Sequence, residues 1–328
     1  MRKRVFCFSV LVCLLLFSGC TKSTQLFAMD TVITMEATGI NASDALELAT
    51  DELLRLEQLL SIRGESSDIA ALNAHETETV STDTAELLQK AYSLSLATGG
   101  AYDCTVEPAV AAWGWYDTPA VPKENALRDA MELVNNEALI LDGNTVRFQF
   151  DGMGIDLGGI AKGYSAGRIG DLLKDNGIRS AILSLGGNIR AIGKKPNGQP
   201  WIVGIADPAM PSSYLATVAV EDTAVVTSGD YQRFFTENGS IYHHILDPQT
   251  GDPTENGLHA VTIICKDDTL ADGLSTALFV MGLEDGSQFW KSGVYDFDAV
   301  FISDSGIYIT EGLQSCFSCQ TSYEVIFR

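Results

Sequence analysis

The stretch DLGGIAKG (residues 156–163) combines a carboxylate, two adjacent glycines and a lysine, and it leads into an amphipathic run that ends at Gly177. A helix that begins here directs N–H groups and the positive end of its dipole toward an anion, with Lys162 beside them. The spacing is not that of a Walker loop, because Gly163 follows the lysine where Ser or Thr is needed, and it does not fit G-x-G-x-x-G. The stretch is compatible with phosphate binding, and also with an ordinary glycine-rich turn.

A second set of oxygen-bearing side chains lies in KDDTLADGLSTALFVMG (residues 266–282), whose apolar residues recur at helical spacing. Asp272 and Thr276 are four residues apart and so lie one helical turn from each other, with Ser275 beside them. This pair can form half of a Mg²⁺ site, since Mg²⁺ takes its other ligands from water and substrate phosphates. The alternative is an Asp in a first helical turn and a Thr that bonds back to its own backbone.

A third candidate is YHHILDPQTGDP (residues 242–253), which holds two of the four histidines in the chain. Its Pro and Gly predict a type I turn at 247–250 that joins a strand at 241–246 to a strand at 259–265. Adjacent strand residues point to opposite faces, so His243 and His244 cannot face the same site. One of them is expected to be structural.

The elements that position these residues are mixed. Capping boxes at Asp44 and Asp83 predict two amphipathic helices, the second of which ends at Gly99. Strands are predicted at 145–150, 180–185, 202–205, 217–220, 241–246, 259–265, 299–302 and 323–327. Because strands outnumber helices and often follow one another directly, the pattern indicates one α+β domain with mixed, largely antiparallel sheets.

The charge of the chain restricts its partners. The formal net charge is −22, and removal of residues 1–19 takes away three basic residues and no acid, which makes it −25. Nucleic acid and anionic lipid surfaces both favour basic proteins, so neither is an expected partner. To bind an anionic ligand, this acidic chain needs local positive or hydrogen-bonding groups: N–H groups, a lysine or a metal ion.

The N-terminal sequence predicts an export signal at residues 1–19, followed by a domain at residues 20–328. Three basic residues precede an apolar run at 5–17 and the small residues Ser18 and Gly19. The FSGC ending resembles the bacterial lipobox, which predicts a lipidated Cys20, an anchor in the bacterial cell membrane and an extracytoplasmic location. An ordinary signal peptide is the alternative.

Apart from Cys7 and Cys13 in the signal and Cys20 at the predicted lipid site, the cysteines are Cys104, Cys265, Cys316 and Cys319. Cys316 and Cys319 have the spacing of a redox or zinc half-site, but no second pair accompanies them. A local disulfide or no bond at all is the expectation.

Several motifs together resemble the ApbE family of FAD:protein FMN transferases. They are AMDTVITM, TGGAYDCTVEPAVAAWGW, DLGGIAKGYSAGRI, LSLGGNIRAIG, VTSGDYQRFF, YHHILDPQTGDP and ADGLSTAL, which occur in the family's order between residues 27 and 282. The resemblance implies a T-fold-like α+β domain and a Mg²⁺-dependent reaction. In that reaction the FMN half of FAD is transferred to a Thr or Ser hydroxyl of an exported target protein, with release of AMP.

By motif position, the resemblance also implies which residues form the site. FAD is expected to contact Met29, Ala101, Tyr102, Asp103, Asp156, Lys162, Ile245 and Leu246. Mg²⁺ is expected at Asp272, Thr276 and the carbonyl of Gly159, with Ser275 as a further ligand.

His244 is the candidate general base for the acceptor hydroxyl, because an unperturbed imidazole titrates near ~6.5 and accepts a proton at neutral pH. Asp247 is the second candidate, and His243 replaces His244 if the strand register is reversed. Asp30 departs from the family, in which many members have Gly there, and it adds a carboxylate near the expected flavin site.

Two other functions stay open on the sequence. A Mg²⁺-dependent FAD pyrophosphatase that gives FMN and AMP would use the same residues. An exported flavin-binding lipoprotein without catalysis would not need Asp272, Thr276 and His244 together. The expected acceptor of a transferase is an exported redox subunit, whose identity the sequence does not specify.

Overall fold

The structure is a computed structural model that describes residues 20–328; the predicted signal at residues 1–19 lies outside the described residues. The strands are β1 (Thr21–Ala28), β2 (Thr31–Thr38), β3 (Leu139–Asp142), β4 (Thr145–Phe148), β5 (Ser180–Leu185), β6 (Asn188–Gly193), β7 (Trp201–Asp207), β8 (Met210–Val220), β9 (Ala224–Gly229), β10 (Phe234–Glu237), β11 (Ser240–His243), β12 (Leu258–Cys265), β13 (Asp298–Ser303), β14 (Gly306–Thr310), β15 (Phe317–Cys319) and β16 (Glu324–Ile326). The helices are α1 (Ala42–Leu60), α2 (Asp68–Asn73), α3 (Thr82–Ala97), α4 (Glu107–Ala112), α5 (Glu124–Met131), α6 (Ala161–Asp175) and α7 (Asp268–Ser292). Single 3₁₀ turns lie at Cys104–Val106, Asn136–Ala138 and Glu311–Leu313.

One nine-stranded sheet organises these elements, in the order β1-β2-β5-β6-β9-β12-β13-β14-β16. Every neighbouring pair is antiparallel except β14 and β16, which are parallel. Strands β15, β8 and β7 form a second, antiparallel sheet. The predicted α+β class with largely antiparallel sheets is confirmed.

The large sheet is buried on both faces by different partners. Along β5 the side chains alternate, so that Leu183 packs in a core with α1 and α6, while Ile182 packs in a core with the three-stranded sheet. A further core joins α3 and α7 to the centre of the sheet. In this helix layer the start of α6 packs against α7. The candidate motifs at residues 156–163 and 266–282 are thereby brought together.

The predicted helices occur, but not with the predicted caps. The N-cap residue of α1 is Asn41, and Asp44 lies in the first turn, so the capping box at Asp44 is wrong. At α3 the cap is Ser81, whose side chain accepts a hydrogen bond from the Thr84 N–H, and Asp83 again lies in the first turn. A carboxylate in a first turn still favours a helix through its dipole, which explains why the helices were found.

The predicted hairpin between 241–246 and 259–265 is wrong. Strand β11 ends at His243 and pairs with β10, whereas β12 pairs with β9 and β13. Past His243 the chain forms its own tight loop, in which the Asp247 N–H donates to Asp252 O and the Gly251 N–H donates to Asp247 O. The turn at 247–250 is thus present, but it does not join two paired strands into the predicted hairpin.

Helix α7 is interrupted once. Gly282 has φ 80° inside the helix, a value that L side chains rarely adopt. The first half carries Asp272, Ser275 and Thr276. Within residues 20–328, no helix has both the length and the apolar character that crossing a membrane requires.

Candidate functional site

A cavity of about 610 Å³ opens where the start of α6, the first half of α7, the end of β9 and two hairpin turns meet. Of the residues predicted to form the site, it is lined by Met29, Ala101, Tyr102, Asp103, Asp156, Gly159, Lys162, His244, Ile245, Leu246, Asp272 and Thr276. Ser275 and Asp247 do not line it. Motifs that are far apart in sequence therefore share one cavity.

The phosphate-like loop before α6 is held by its own side chains. Asp156 accepts hydrogen bonds from the Gly158 N–H at one oxygen and from the Tyr116 hydroxyl at the other, each at 2.6 Å. Lys162 Nζ donates to Gly158 O at 3.1 Å and faces the cavity. A cation therefore stands at the cavity wall in a strongly acidic chain.

The N–H groups at this helix start are less available than the sequence suggested. Those of Ile160 and Ala161 both donate to Leu157 O, and that of Gly163 donates to Asp272 Oδ2 at 2.7 Å. The expectation that these groups hold phosphate is wrong for all three. What the helix start offers an anion is mainly the charge of Lys162.

Beside the loop lies what we term the metal end of the cavity, formed by Gly159, Ser228, Asp272 and Thr276 at the cavity wall, with Ser275 behind them. Asp272 is 3% exposed and forms no ion pair within residues 20–328. A Cβ added to Gly159 would lie 3.2 Å from Thr276 Oγ1, so the backbone of the loop closely approaches this hydroxyl.

Ser275 stands behind these two side chains, whereas Ser228 lines the cavity. Ser275 Oγ donates to Asp272 O at 2.8 Å and lies 2.7 Å from Ser228 Oγ, so Ser275 is the residue that bonds back to the helix. Thr276 Oγ1 has only a 3.4 Å contact with Ser228 Oγ. The Thr276 hydroxyl is thus open to the cavity and the Ser275 hydroxyl is not.

These donors fit Mg²⁺. A carboxylate, a hydroxyl and a backbone carbonyl are hard oxygen ligands, and Mg²⁺ uses few protein ligands when substrate phosphates complete its shell. A buried carboxylate without an ion-pair partner also needs a positive charge nearby. Within the described part of the chain, no group of three or more His, Cys, Asp or Glu residues could hold a metal.

The base end of the cavity consists of Arg233 and His244, which flank the β10–β11 hairpin. His244 Nδ1 lies 3.1 Å from Arg233 O, and because a carbonyl only accepts, Nδ1 carries the proton. Nε2 is then the basic nitrogen. Burial first, and then the nearby charges of Arg233 and Lys162, lower the pKa of His244 to about 3.

The neighbouring candidates have structural contacts. Buried His243 uses both ring nitrogens, since Nε2 donates to Thr254 O at 2.8 Å and Nδ1 accepts from the Ile245 N–H at 3.3 Å. Its ring packs edge-on against Phe279. Asp247 accepts from the Gln249 N–H at 2.8 Å and lines a separate cavity. As predicted, one histidine is structural, and His244 is the one that lines the cavity.

A further part of the cavity lining, which we term the aromatic wall, is formed by Val106, Val110, Trp115, Tyr116, Ile245 and Leu246. Tyr102 is buried beside it, and burial raises the pKa of its hydroxyl. Asp103 accepts from the Thr105 N–H and hydroxyl, at 2.8 and 2.7 Å, and so caps a 3₁₀ turn. Its carboxylate is therefore partly used within the protein.

Met29 and Asp30 form the two-residue turn between β1 and β2 and line the cavity with positive φ values of 51° and 59°. Such turns require φ > 0 at both positions, which Gly and Asn meet most easily. Asp tolerates this backbone better than most residues. The exposed Asp30 thus places a carboxylate at the cavity wall without changing the turn.

Sequence reasoning missed Arg233, Trp115, Tyr116 and Asn188, all of which line the cavity. The cluster WGWY (residues 113–116) and the Arg of GDYQRFF were visible, but nothing local shows that they face the same cavity. The positions of Arg233, Trp115 and Tyr116 depend on the β10–β11 hairpin, where Phe235 and Tyr242 stack and pack against Trp113. Asn188 is placed instead by the pairing of β6 with β5 and β9.

Known proteins resemble this chain along most of its length. The model of the ApbE family matches residues 29–301. The chain is 37% identical to a Treponema pallidum FAD:protein FMN transferase over 280 residues, covering 79% of this chain and 76% of that protein. It is 33% identical to the Vibrio cholerae FAD:protein FMN transferase over 292 residues, covering 84% and 87%. The solved apo structure of the Pseudomonas stutzeri flavinyl transferase ApbE superposes with a TM-score of 0.82 at 29% identity, covering 93% of this chain and 99% of that one.

Proposed function

Because the chain belongs to the ApbE family, whose model matches residues 29–301, we propose that it is an FAD:protein FMN transferase. It uses FAD as donor, attaches the FMN half to a Thr or Ser hydroxyl of a target protein and releases AMP. The observation that carries the proposal is that Asp272, Thr276, Lys162 and His244 line one cavity.

The residues that would hold Mg²⁺ are Asp272, Thr276 and the Gly159 carbonyl. Ser275 supports them from behind and lies 2.7 Å from Ser228, which lines the cavity beside them. When bound, Mg²⁺ neutralises the charge of a diphosphate, which lowers the barrier to attack on phosphorus.

The remaining steps are assigned to side chains of this chain. Lys162 and Arg233 attract the anionic substrate locally, against a formal net charge of −22. The oxygen of the acceptor hydroxyl attacks the phosphorus of the FMN half, and the bond from that phosphorus to the AMP oxygen breaks. The hydroxyl proton goes to Nε2 of His244, which the Arg233 carbonyl keeps in the required tautomer.

The depressed pKa of His244 in the free enzyme is compatible with its role as a general base, because substrate binding changes the charges around the imidazole. Burial and two nearby cations depress the pKa of His244 to about 3. A diphosphate beside Lys162 and Arg233 offsets their charge and raises the pKa of the imidazole again. The base is thereby neutral before the substrate binds and more basic afterwards.

We further propose that the enzyme is anchored outside the cytoplasm by lipid on Cys20, and that its acceptors are exported proteins. Cys20 is exposed, and β1 begins at the next residue. An accessible thiol at the start of the folded domain is compatible with a lipid anchor.

One experiment separates the possible activities. The purified protein is incubated with FAD and Mg²⁺, with and without an exported candidate acceptor, while AMP and protein-bound flavin are measured. Covalent flavin that depends on the acceptor supports the transferase. AMP with free FMN in both samples would show a pyrophosphatase, and bound but unchanged FAD would show a flavin-binding protein without catalysis.

A further inference from the structure

Three buried polar atoms in the wall of the cavity have no hydrogen-bond partner within the described residues. They are Tyr102 Oη, Trp115 Nε1 and Asn188 Nδ2, in side chains that are 4%, 7% and 2% exposed. A buried polar group without a partner destabilises the protein, so such groups in a cavity mark positions where a ligand supplies the partner. Of the three, Asn188 lies in a part of the cavity to which no role has yet been given.

Asn188 begins β6 directly after the Gly186–Gly187 turn, and all three residues line the cavity. It pairs with Val226 of β9, two residues before Ser228 at the metal end. Its side chain is therefore a short distance along the sheet from the proposed diphosphate position.

A second carboxamide lines the same wall. Gln232 Nε2 donates to Thr227 O at 3.1 Å, which orients the side chain and leaves its Oε1 as an acceptor. We term this set of cavity-lining residues, Gly186, Gly187, Asn188, Thr227 and Gln232, the amide wall.

The amide wall and the aromatic wall differ in the ring system that each suits. FAD has a large isoalloxazine ring with an apolar dimethylbenzene part, and a smaller adenine ring whose edge offers a donor beside acceptors. Aromatic and aliphatic side chains favour the larger apolar ring. A carboxamide presents one donor and one acceptor at the spacing that matches the N6 and N7 edge of adenine.

We infer that Asn188 recognises the adenine ring of FAD, with its carboxamide paired to the ring edge inside the amide wall. The inference rests on the proposed function, since it assigns one end of the same substrate. It makes Asn188 a specificity-determining residue that selects an adenine dinucleotide over flavin nucleotides with another base.

The test measures binding of AMP and of FMN separately, in the presence of Mg²⁺, by calorimetry. Asn188→Ala removes the carboxamide, and Asn188→Leu removes it while nearly keeping the volume. For both variants we expect the affinity for AMP to fall about tenfold, the loss of one to two hydrogen bonds, while that for FMN stays within about twofold.

Asn136→Ala is the matched control, because Asn136 is also buried and its side chain has no hydrogen-bond partner within residues 20–328, but it does not line the cavity. Its affinity for AMP should equal that of the wild type, and thermal unfolding compares the folding of all variants. Weaker FMN binding with unchanged AMP binding, equal weakening of both, or no change in either would overturn the inference. A wild-type protein that binds neither AMP, FMN nor FAD would instead contradict the proposed function.

Discussion

The metal end and the base end of the cavity are built in different ways. The metal end is packed between α6 and α7, and its central carboxylate is 3% exposed and bonded to the Gly163 N–H of the facing helix. The base end flanks a two-stranded hairpin, and its histidine is oriented by a single carbonyl. In the proposed function, the first arrangement gives the diphosphate a rigid position and the second is the site that the acceptor protein reaches.

The largest effect is expected at the metal end. Asp272→Ala removes its only carboxylate and should lower turnover by on the order of 10³-fold or more, since metal-stabilised charge contributes several kcal/mol to the barrier. AMP release measures turnover, and calorimetry measures Mg²⁺ affinity independently. Asp285→Ala, an exposed position on the same helix, is the control. Full activity and unchanged Mg²⁺ binding in Asp272→Ala would remove the metal assignment.

A somewhat smaller effect is expected at the base end. His244→Gln should lower the rate of transfer by roughly 10²–10⁴-fold, the usual contribution of a general base, while FAD affinity changes little. His75→Asn, an exposed histidine outside the cavity, serves as control. Equal loss of FAD affinity and rate would mean that His244 binds substrate and does not accept the proton.

The depressed pKa of His244 also predicts a pH effect on stability. The folded protein holds this imidazole neutral down to a pKa of about 3, whereas the unfolded chain protonates it near 6.5. The stability that the neutral imidazole provides is therefore present above pH 6.5 and is lost as the pH falls toward 3. Denaturant unfolding between pH 4 and 7.5 should show a steeper acid loss in the wild type than in His244→Gln. Parallel curves would contradict the depressed pKa.

The contact between α6 and α7 tests the rigidity of the metal end. A Cβ at Gly163 would overlap Asp268 O and lie 2.5 Å from Asp272 Cβ, so Gly163→Ala should lower the free energy of unfolding by about 1–3 kcal/mol and weaken Mg²⁺ binding. At Gly167 a Cβ would come no closer than 3.5 Å to Asp268, so Gly167→Ala should be neutral or slightly stabilising. Equal free energies of unfolding for the two variants would contradict the close packing of α6 on α7 at Gly163.

The smallest effect concerns a surface cluster beside the ends of β9 and β13, where His259 of β12 meets two carboxylates. His259 bonds Asp230 at 2.8 Å and Asp304 at 3.0 Å, and these carboxylates raise its pKa above the ordinary 6.5. The stability that protonated His259 contributes is present below pH 6.5. It is lost as the pH rises through the raised pKa of His259 in the folded protein. The wild type should therefore exceed His259→Gln in stability more at pH 6 than at pH 9, and a difference independent of pH would contradict this ion pair.

Local patterns predicted the elements better than the contacts between them. The strand at 180–185 was found to the residue because its burial alternates strictly, and Asp272 with Thr276 was found because their spacing fixes their shared helix face. Strand β1 was missed, since TKSTQLFA is mostly polar and exposed at the edge of the sheet. The bond from Gly163 to Asp272 spans 109 positions and depends on how α6 packs on α7.

At the base end, too, the local sequence pattern did not predict the contacts between elements. The two histidines were correctly expected to differ, because alternation along a strand is local. Which of them faces the cavity depends on the pairing of β11 with β10, and the sequence suggested a pairing with β12 instead. Arg233 was overlooked for this reason, since its carbonyl meets His244 only across that hairpin.

The most direct test of the proposed transfer is the intact mass of an exported acceptor protein after incubation with the enzyme, FAD and Mg²⁺. We predict a mass increase equal to one FMN phosphoester on a Thr or Ser, matched mole for mole by released AMP. Chelation of Mg²⁺ and the Asp272→Ala substitution should both abolish it. An acceptor of unchanged mass, with AMP and free FMN formed in equal amounts, would contradict transfer to protein.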